Sequence, residues 1–337
     1  MKPAVLVTGG AGYIGSHTCK ALAAAGYLPV SLDNLSLGHR RLVKWGPLIE
    51  ADLSDSARLL SALREYRVGS VIHFAASAYV GESVRDPAFY YRNNLLTSLN
   101  LLDMMREAEV RDIVFSSSCS VYGNPHRLPI DEGHPLAPLS PYGQTKLDGE
   151  NAIRWYAAAY GMRAVCLRYF NAAGADLEGQ TGEDHDPETR LVPRAIMAAM
   201  GVLPALEVFG NDYPTADGTA VRDYVHVSDL ARAHVAALAH LPDPGGAEVI
   251  NLGTGRGYSV REVMSAVQRV IGRPVPHTVV SRRAGDPAEV VADPRHAQTA
   301  LNWSGRDSDL DTIVASAHQW HHRRLADVPI AFRARGG

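Results

Sequence analysis

The sequence predicts an α/β protein: a doubly wound parallel sheet followed by a smaller C-terminal lobe. Three observations carry this reading. Short apolar runs alternate with helix-length patterns through the first 170 residues, the rhythm of βαβ crossovers. The runs are continuous in apolar character, as strands covered on both faces are. A glycine-spaced turn, Gly9, Gly12 and Gly15, lies between the first strand and the first helix, where a tight strand-to-helix connection needs glycine.

In order along the chain, "AVLVT" (4–8) is the first strand and "GSHTCKALAAAG" the first helix. "LPVSLD" (28–33), "PLIEAD" (47–52), "SVIHFA" (70–75), "DIVFSSS" (112–118) and "AVCLRYF" (164–170) are the next five strands. A helix starts after Pro141, because proline suits the first helical position. From about 175 the texture changes. "GADLEGQTGEDHDPET" and "GNDYPTADGTAVRDY" are rich in turn residues, with the helix "RLVPRAIMAAMG" between them. Strand and helix resume at "EVINLGTG" (248–255) and near 259–271. The predicted division is a dinucleotide-binding domain over 1–175, with segments near 222–255 crossing back to it, and a smaller lobe over 176–337.

Composition narrows the function. A 46% hydrophobic and 20% charged chain is an ordinary globular protein, and a net charge of −3 with scattered arginines gives nucleic acid no footing. The N-terminal apolar run is too short for a signal-peptide core, and no stretch approaches the ~20 apolar residues of a membrane span. Cys19, Cys119 and Cys166 are far apart, without metal-ligand spacing, so the expectation is free thiols in the cytoplasm and no metal.

The glycine loop lets the backbone approach a pyrophosphate that the helix N-terminus favours. Asp33, at the end of the second strand, can accept from the adenosine ribose hydroxyls and repels a 2′-phosphate. The cofactor predicted is therefore NAD, although Arg40 and Arg41 stand nearby. Asp52, ending the third strand, either meets the adenine amine or caps the turn that follows.

The fifth strand ends in "SSSCSVYG", and ligands bind beyond the carboxyl ends of such strands, which puts Ser118 near the nicotinamide. Tyr142 and Lys146 in "SPYGQTKLDGE" lie four apart on one helical face. An ammonium beside a phenol favours the phenolate, so the pair reads as a base, with the Ser118 hydroxyl sharing a hydrogen bond with the substrate oxygen. Only four of 33 basic residues are lysine, which makes the choice of lysine at 146 notable. Cys119 reads as core packing on the opposite face, His73 as a core histidine, and Tyr122 as packing or cofactor-lining.

At this point the chain resembles the extended short-chain dehydrogenase/reductases and, within them, the UDP-glucose 4-epimerases. The likeness runs through "VTGGAGYIGSHT", "LDNL", "VIHFAA", "VGESV", "SSSCSVYG", "SPYGQTK", "LRYFNAAGA", "VFGNDYPTADGTAVRDYVHVSDLA", "NLGTG" and "RRAGDPAEVVAD". It implies a Rossmann-type fold and tightly held NAD, regenerated in each turnover. The matching cofactor positions are Gly9, Gly12, Tyr13, Ile14, Gly15, Asp33, Asn34, Asp52 and Leu53. Phe74, Ala75, Ala76, Ser77, Asn93, Ser116, Tyr142, Lys146, Tyr169 and Phe170 complete that set. The nucleotide sugar would meet Ser118, Tyr142, Asn171, Arg190, Leu191 and Val208, then Phe209, Arg222, Tyr224, Arg283, Asp286 and Val290. By charge Arg222 and Arg283 suit the pyrophosphate; Phe209 suits uracil stacking and Asp286 a ribose hydroxyl.

The implied reaction is reversible epimerisation at sugar C4. Tyr142 removes the 4-hydroxyl proton as the C4 hydride leaves for NAD, and the 4-keto sugar turns over and is reduced on its other face. Lys146 would lower the tyrosine pKa and hold the nicotinamide ribose. Related dehydratases carry Asp-Glu after the serine position and decarboxylases a Glu; here Cys119 and Ser120 stand there, without the acid and base that elimination needs. The sequence departs from many hexose epimerases at Ala78, where a lysine is usual, at Arg190, where Asn is common, and at Val290, where a bulky Tyr restricts the pocket. UDP-glucose and UDP-galactose are the leading substrates. UDP-pentoses (xylose, arabinose) or UDP-N-acetylhexosamines come second, followed by a true dehydrogenase and then an NAD-sensing regulator without turnover. The family habit is a homodimer paired through helices that include the Tyr142/Lys146 helix.

Overall fold

A computed structural model describes residues 2–283 and 285–326, so the end of the smaller lobe predicted for 327–337 lies outside the described residues. The strands are β1 (Ala4–Thr8), β2 (Leu28–Asp33), β3 (Leu48–Glu50), β4 (Val68–His73), β5 (Asp112–Ser118), β6 (Arg163–Tyr169) and β7 (Asn171–Ala173). They continue with β8 (Leu206–Phe209), β9 (Val221–His226), β10 (Ala247–Leu252), β11 (Gly257–Ser259), β12 (His277–Val280) and β13 (Glu289–Val290).

Seven of them form one sheet in the order β10-β6-β5-β4-β1-β2-β3, every neighbouring pair parallel. Successive residues of β1 serve opposite layers, as the two-residue period of a strand requires. Ala4 and Leu6 pack with Leu59 and Leu63, Leu101 and Met105, and Ile153 and Ala157 from three helices on one face. Val5 and Val7 pack with Cys19, Leu22, Leu230, Ala233, Ala297 and Leu301 on the other. The fold class read from the sequence is the one observed.

The smaller lobe holds β11-β9-β13 with β7 beside β9, the β8–β12 pair, and a core that includes Ile196, Val263, Val267, Ile313 and Val314. Its helix Val260–Ile271 is delimited as its sequence suggests. Ser259 and Glu262 close a capping box, and Gly272 ends it at φ 74°. The crossing back differs from expectation at its start. Residues 222–226 stay in the small sheet as β9; the return begins with helix Val227–Ala239 and β10, and helix Arg295–Leu301 also packs on the large sheet. Strand edges shift too. β3 stops at Glu50, so Asp52 sits in the following turn.

Of the buried imidazoles, four are shifted furthest toward the neutral form. Burial lowers His17, His234 and His321 to about 4 and His73 to about 3. His73 is the satisfied core histidine that its strand implies, bonded to Thr8 Oγ1 at 2.7 Å and Ser98 Oγ at 2.8 Å. Because these folded values lie below the unfolded 6.5, the unfolded chain takes up protons first as pH falls. Their contribution is full above about pH 6.5 and is lost on the way to about pH 4. The thermal midpoint should therefore drop steadily over that interval in calorimetry; a midpoint that stays flat from pH 6.5 to 4 would contradict it.

Candidate active site

The sheet order reverses between β1 and β4, and their carboxyl ends open the crevice in which such folds bind ligands. A cleft of about 1180 Å³ runs from the glycine loop to the smaller lobe, more than one ordinary ligand site needs.

At one end, Gly9 takes φ 73°, and a Cβ there would lie 2.9 Å from Ala75 N. A Cβ on Gly15 would lie 2.1 Å from Gly9 O, so the helix is seated directly on the loop. Helix Tyr13–Ala24 has no side-chain cap at its N-terminus, leaving first-turn amides for an anion. A Cβ on Gly12 would enter the cleft, obstructed only by Gly9 O at 3.2 Å. Asp33 is buried at the next strand end. Its oxygens accept from Ala11 N at 3.0 Å and Leu35 N at 2.9 Å, which leaves lone pairs for ligand hydroxyls. Burial raises its pKa and the two amides oppose the rise. Arg40 pairs with Glu50 and Arg41 with Asp184, so both guanidiniums have carboxylate partners of their own. Asp52 accepts from Ser54 N and Oγ at 2.8 and 2.6 Å and from Asn34 Nδ2 at 2.7 Å, the capping arrangement, while still lining the cleft. This loop, open helix end and buried acid fit a dinucleotide.

Midway along the cleft lies the Ser/Tyr/Lys group. The helix Pro141–Tyr160 begins where Ser140 Oγ accepts from Gly143 N at 3.2 Å and ends at Gly161, φ 67°. Tyr142 and Lys146 are both buried and line the cleft with Ser118. Lys146 Nζ donates to Ser116 O at 2.7 Å and lies 5.1 Å from the Phe115 ring centroid. Burial lowers Lys146 to about 7, against an upward pull from Glu150. Tyr142 is raised by burial, with Ser118 and Arg190 drawing it back. One helical face thus carries a buried phenol and a buried amine, and burial disfavours the charged form of each.

At the far end, the Arg283 guanidinium lies 3.8 Å from the Phe209 ring centroid, and Arg222 is ion-paired with Asp286. The cleft is lined by every residue that the sequence assigns to cofactor or substrate except Val208, whose side chain packs in the small lobe's core. Alternation explains this: Phe209, the next residue of β8, faces the other way. Cys119 is the reverse case. β5 ends at Ser118 and the chain turns into a short 3₁₀ segment. Cys119 packs against the Val121, Tyr122, Phe170 and Val290 cluster as a core residue while also bordering the cleft, so its packing is as read but its direction is not. Tyr122 packs away from the cleft, bonded to Asn251 Oδ1 at 2.7 Å. Sequence reasoning missed Asn94, which accepts from Ser77 N at 2.9 Å and donates to Thr145 Oγ1 at 3.2 Å, tying the loop after β4 to the Tyr142/Lys146 helix. It also missed Glu183 and His185, which line the cleft from a segment read only as loop. Their acid and imidazole composition was the available signal.

A glycine loop at the reversal of a parallel sheet, with a buried acid at the next strand end, defines a dinucleotide-binding protein of the Rossmann class. More narrowly, the chain belongs to the NAD dependent epimerase/dehydratase family, whose model matches residues 5–253. It is 49% identical over 320 residues to the UDP-glucose 4-epimerase of Rhizobium meliloti (strain 1021), covering 95% of this chain and 97% of that one. The crystal structure of UDP-glucose 4-epimerase from Brucella ovis in complex with NAD superposes with a TM-score of 0.91 at 55% identity, covering 94% of this chain and 98% of that one. The Bifidobacterium longum UDP-glucose 4-epimerase in complex with NAD+ and UDP superposes with a TM-score of 0.92 at 40% identity, covering 96% and 100%.

Two expectations follow. Asp33→Ala should retain NAD at least about 10-fold less well, since a buried ligand-facing carboxylate is lost, as read by cofactor content after gel filtration; undiminished occupancy would remove Asp33 from the cofactor site. In the wild type, log(kcat/KM) should climb with pH to a break at or below about 7, the value burial imposes on Lys146. An amine that has lost its proton in this range is free to take the one that the Tyr142 hydroxyl passes on. Lys146→Met should abolish that break; an identical profile in the variant would assign it to another group.

Proposed function

We propose that this protein is an NAD-dependent UDP-sugar 4-epimerase acting reversibly on UDP-glucose and UDP-galactose. One observation carries the reading. A single continuous cleft joins the glycine loop, the buried Ser118, Tyr142 and Lys146, and the arginines Arg222 and Arg283. Family membership and the named relatives support it.

Bound NAD supplies reversible two-electron oxidation at sugar C4. The residues suited to hold it are the first-turn amides after Gly12 and the Asp33 carboxylate. Tyr142 takes the proton from the 4-hydroxyl and returns it to the 4-keto oxygen in the second half of the reaction. Ser118 is placed to orient that oxygen: its Oγ lies 3.1 Å from Ser120 Oγ and accepts from Ser120 N at 3.2 Å. Lys146, held on Ser116 O, contributes a proton-sharing partner one turn away on the Tyr142 helix. Arg222 and Arg283 grip the diphosphate while the sugar turns over, and Phe209 offers its ring to uracil, with Arg283 as the movable cover. Cys119 and Ser120 supply no carboxylate for elimination, which sets the chemistry apart from dehydration.

Val290 is small and packs beside Phe170 on the cleft wall, leaving space for larger sugar substituents, so N-acetylated hexoses are a second reading; Ala78 in place of a lysine carries the pentose alternative. Homodimer formation is supported by large apolar side chains exposed on and beside two helices, Leu96 and Trp155 (74% exposed) among them. Among the described residues no helix is long and apolar enough to cross a membrane. The three unpaired cysteines support a reducing, cytoplasmic setting.

Purified protein without added cofactor, incubated separately with UDP-galactose, UDP-xylose and UDP-N-acetylglucosamine, should yield the C4 epimer of UDP-galactose fastest and build up no NADH. Tyr142→Phe should lose at least about 100-fold in kcat while keeping its NAD. Stoichiometric NADH, or no epimer from any of the three sugars, would overturn the proposal.

A further inference from the structure

The segment between β7 and the helix Leu191–Ala199 holds a compact group of side chains that the epimerase reading does not use. His185 Nδ1 lies 3.0 Å from Glu183 Oε1 and 3.9 Å from Glu188 Oε2. One donor atom from each of the three residues lies within 4.8 Å of the others. In a four-coordinate zinc site with bonds of 2.0–2.2 Å, donor atoms are about 3.3 Å apart, so a small inward movement of the carboxylates completes the spacing.

Glu188 is built for this. Its Oε1 accepts from the backbone amides of Thr189 at 2.8 Å and Arg190 at 2.9 Å, which fixes the carboxylate. Its Oε2 has no partner although the side chain is only 6% exposed. A buried carboxylate oxygen without a donor is costly, and this one is aimed into the group. Glu183 is positioned as firmly: its side chain is 4% exposed and its carbonyl accepts from Trp320 Nε1 at 2.7 Å. The His185 ring is held edge-on between Tyr13 and Tyr79, centroids 6.3 and 6.2 Å away.

The geometry points to Glu183, His185 and Glu188 as a binding site for a divalent transition metal of the zinc class, on the wall of the cleft beside the glycine-loop helix. Imidazole with only two carboxylates selects such a metal over magnesium or calcium, which take more oxygen ligands. Glu183 and His185 border the cleft, so the fourth position faces it, as in three-ligand zinc sites that keep a water. The opposing term is Arg190, whose Nε lies 3.1 Å from Glu183 Oε1. Arg324, the next guanidinium, is already paired with Asp184. Metal ligation by Glu183 therefore releases Arg190, and the site is coupled to a cleft-lining cation.

The test uses tag-free, NAD-loaded protein dialysed against a chelator, with zinc chloride titrated in competition with a chromogenic chelator. One equivalent should bind, weakened more than about 10-fold by His185→Asn and by Glu188→Gln, with unchanged circular dichroism in both. His318→Asn serves as the control, because His318 and His322 lie one turn apart with ring centroids at 5.9 Å and offer a competing pair. Crystals of the wild type soaked in zinc should give an anomalous peak among the three side chains, a readout independent of variant folding. No zinc binding by the wild type would overturn the proposal. So would an equivalent that His318→Asn abolishes and Glu188→Gln leaves intact, or an anomalous peak elsewhere.

Discussion

The cleft hangs on one buried ion pair. Glu150 and Arg168 meet through two contacts, Nε to Oε1 at 2.8 Å and Nη2 to Oε2 at 2.5 Å, with side chains 0% and 3% exposed. Glu150 also accepts from Ser117 of β5, and Arg168 donates to Tyr122 Oη at 3.0 Å. Tyr122 in turn donates to Asn251 of β10, whose amide reaches Ile130 O at 3.0 Å. One network thus joins the Tyr142/Lys146 helix, the ends of three strands and the loop between β5 and that helix. Pairs of this kind contribute little net stability, yet removing one partner costs several kcal/mol because the other charge is left buried. Their contribution is geometric: the helix can sit in one register only.

That register decides the electrostatics of the site. Glu150 is one helical turn beyond Lys146, which is one turn beyond Tyr142. The carboxylate favours charge on the lysine, burial disfavours it, and burial wins in part, bringing the amine to about 7. The phenol is buried as well and rises. Neither group is therefore a ready-made ion. A charge entering the cleft would shift either of them. The cleft arginines are less enclosed: Arg190 and Arg222 are partly exposed and Arg283 is exposed, so water still screens them.

Much of this was legible in the residues. Continuous apolar runs announced strands covered on both faces, and β1, β2 and β5 appear where they were read. Gly9, Gly12 and Gly15 announced a loop that only glycine can make, as the contacts a Cβ would meet demonstrate. Other features had no sequence signal. Val208 and Phe209 are adjacent in a short strand, and which of them faces the cleft depends on how β8 is laid on the lobe. Cys119 turned inward because β5 ends one residue earlier than a continuing strand would. Arg222 and Asp286 lie 64 positions apart and meet only in the folded chain. Glu183, His185 and Glu188 looked like a polar loop because three-dimensional closure of a loop leaves no periodicity to read.

By itself the sequence determined the fold class, the family, and the residue types available for dinucleotide and nucleotide-sugar chemistry, because strand alternation, glycine turns and helix caps are local and act on near neighbours. Tertiary structure alone decided which side chains share a cleft, which charges neutralise one another and how far each proton affinity moves. Those quantities depend on burial and on distances between residues far apart in the chain. They exist only once both layers have closed over the sheet.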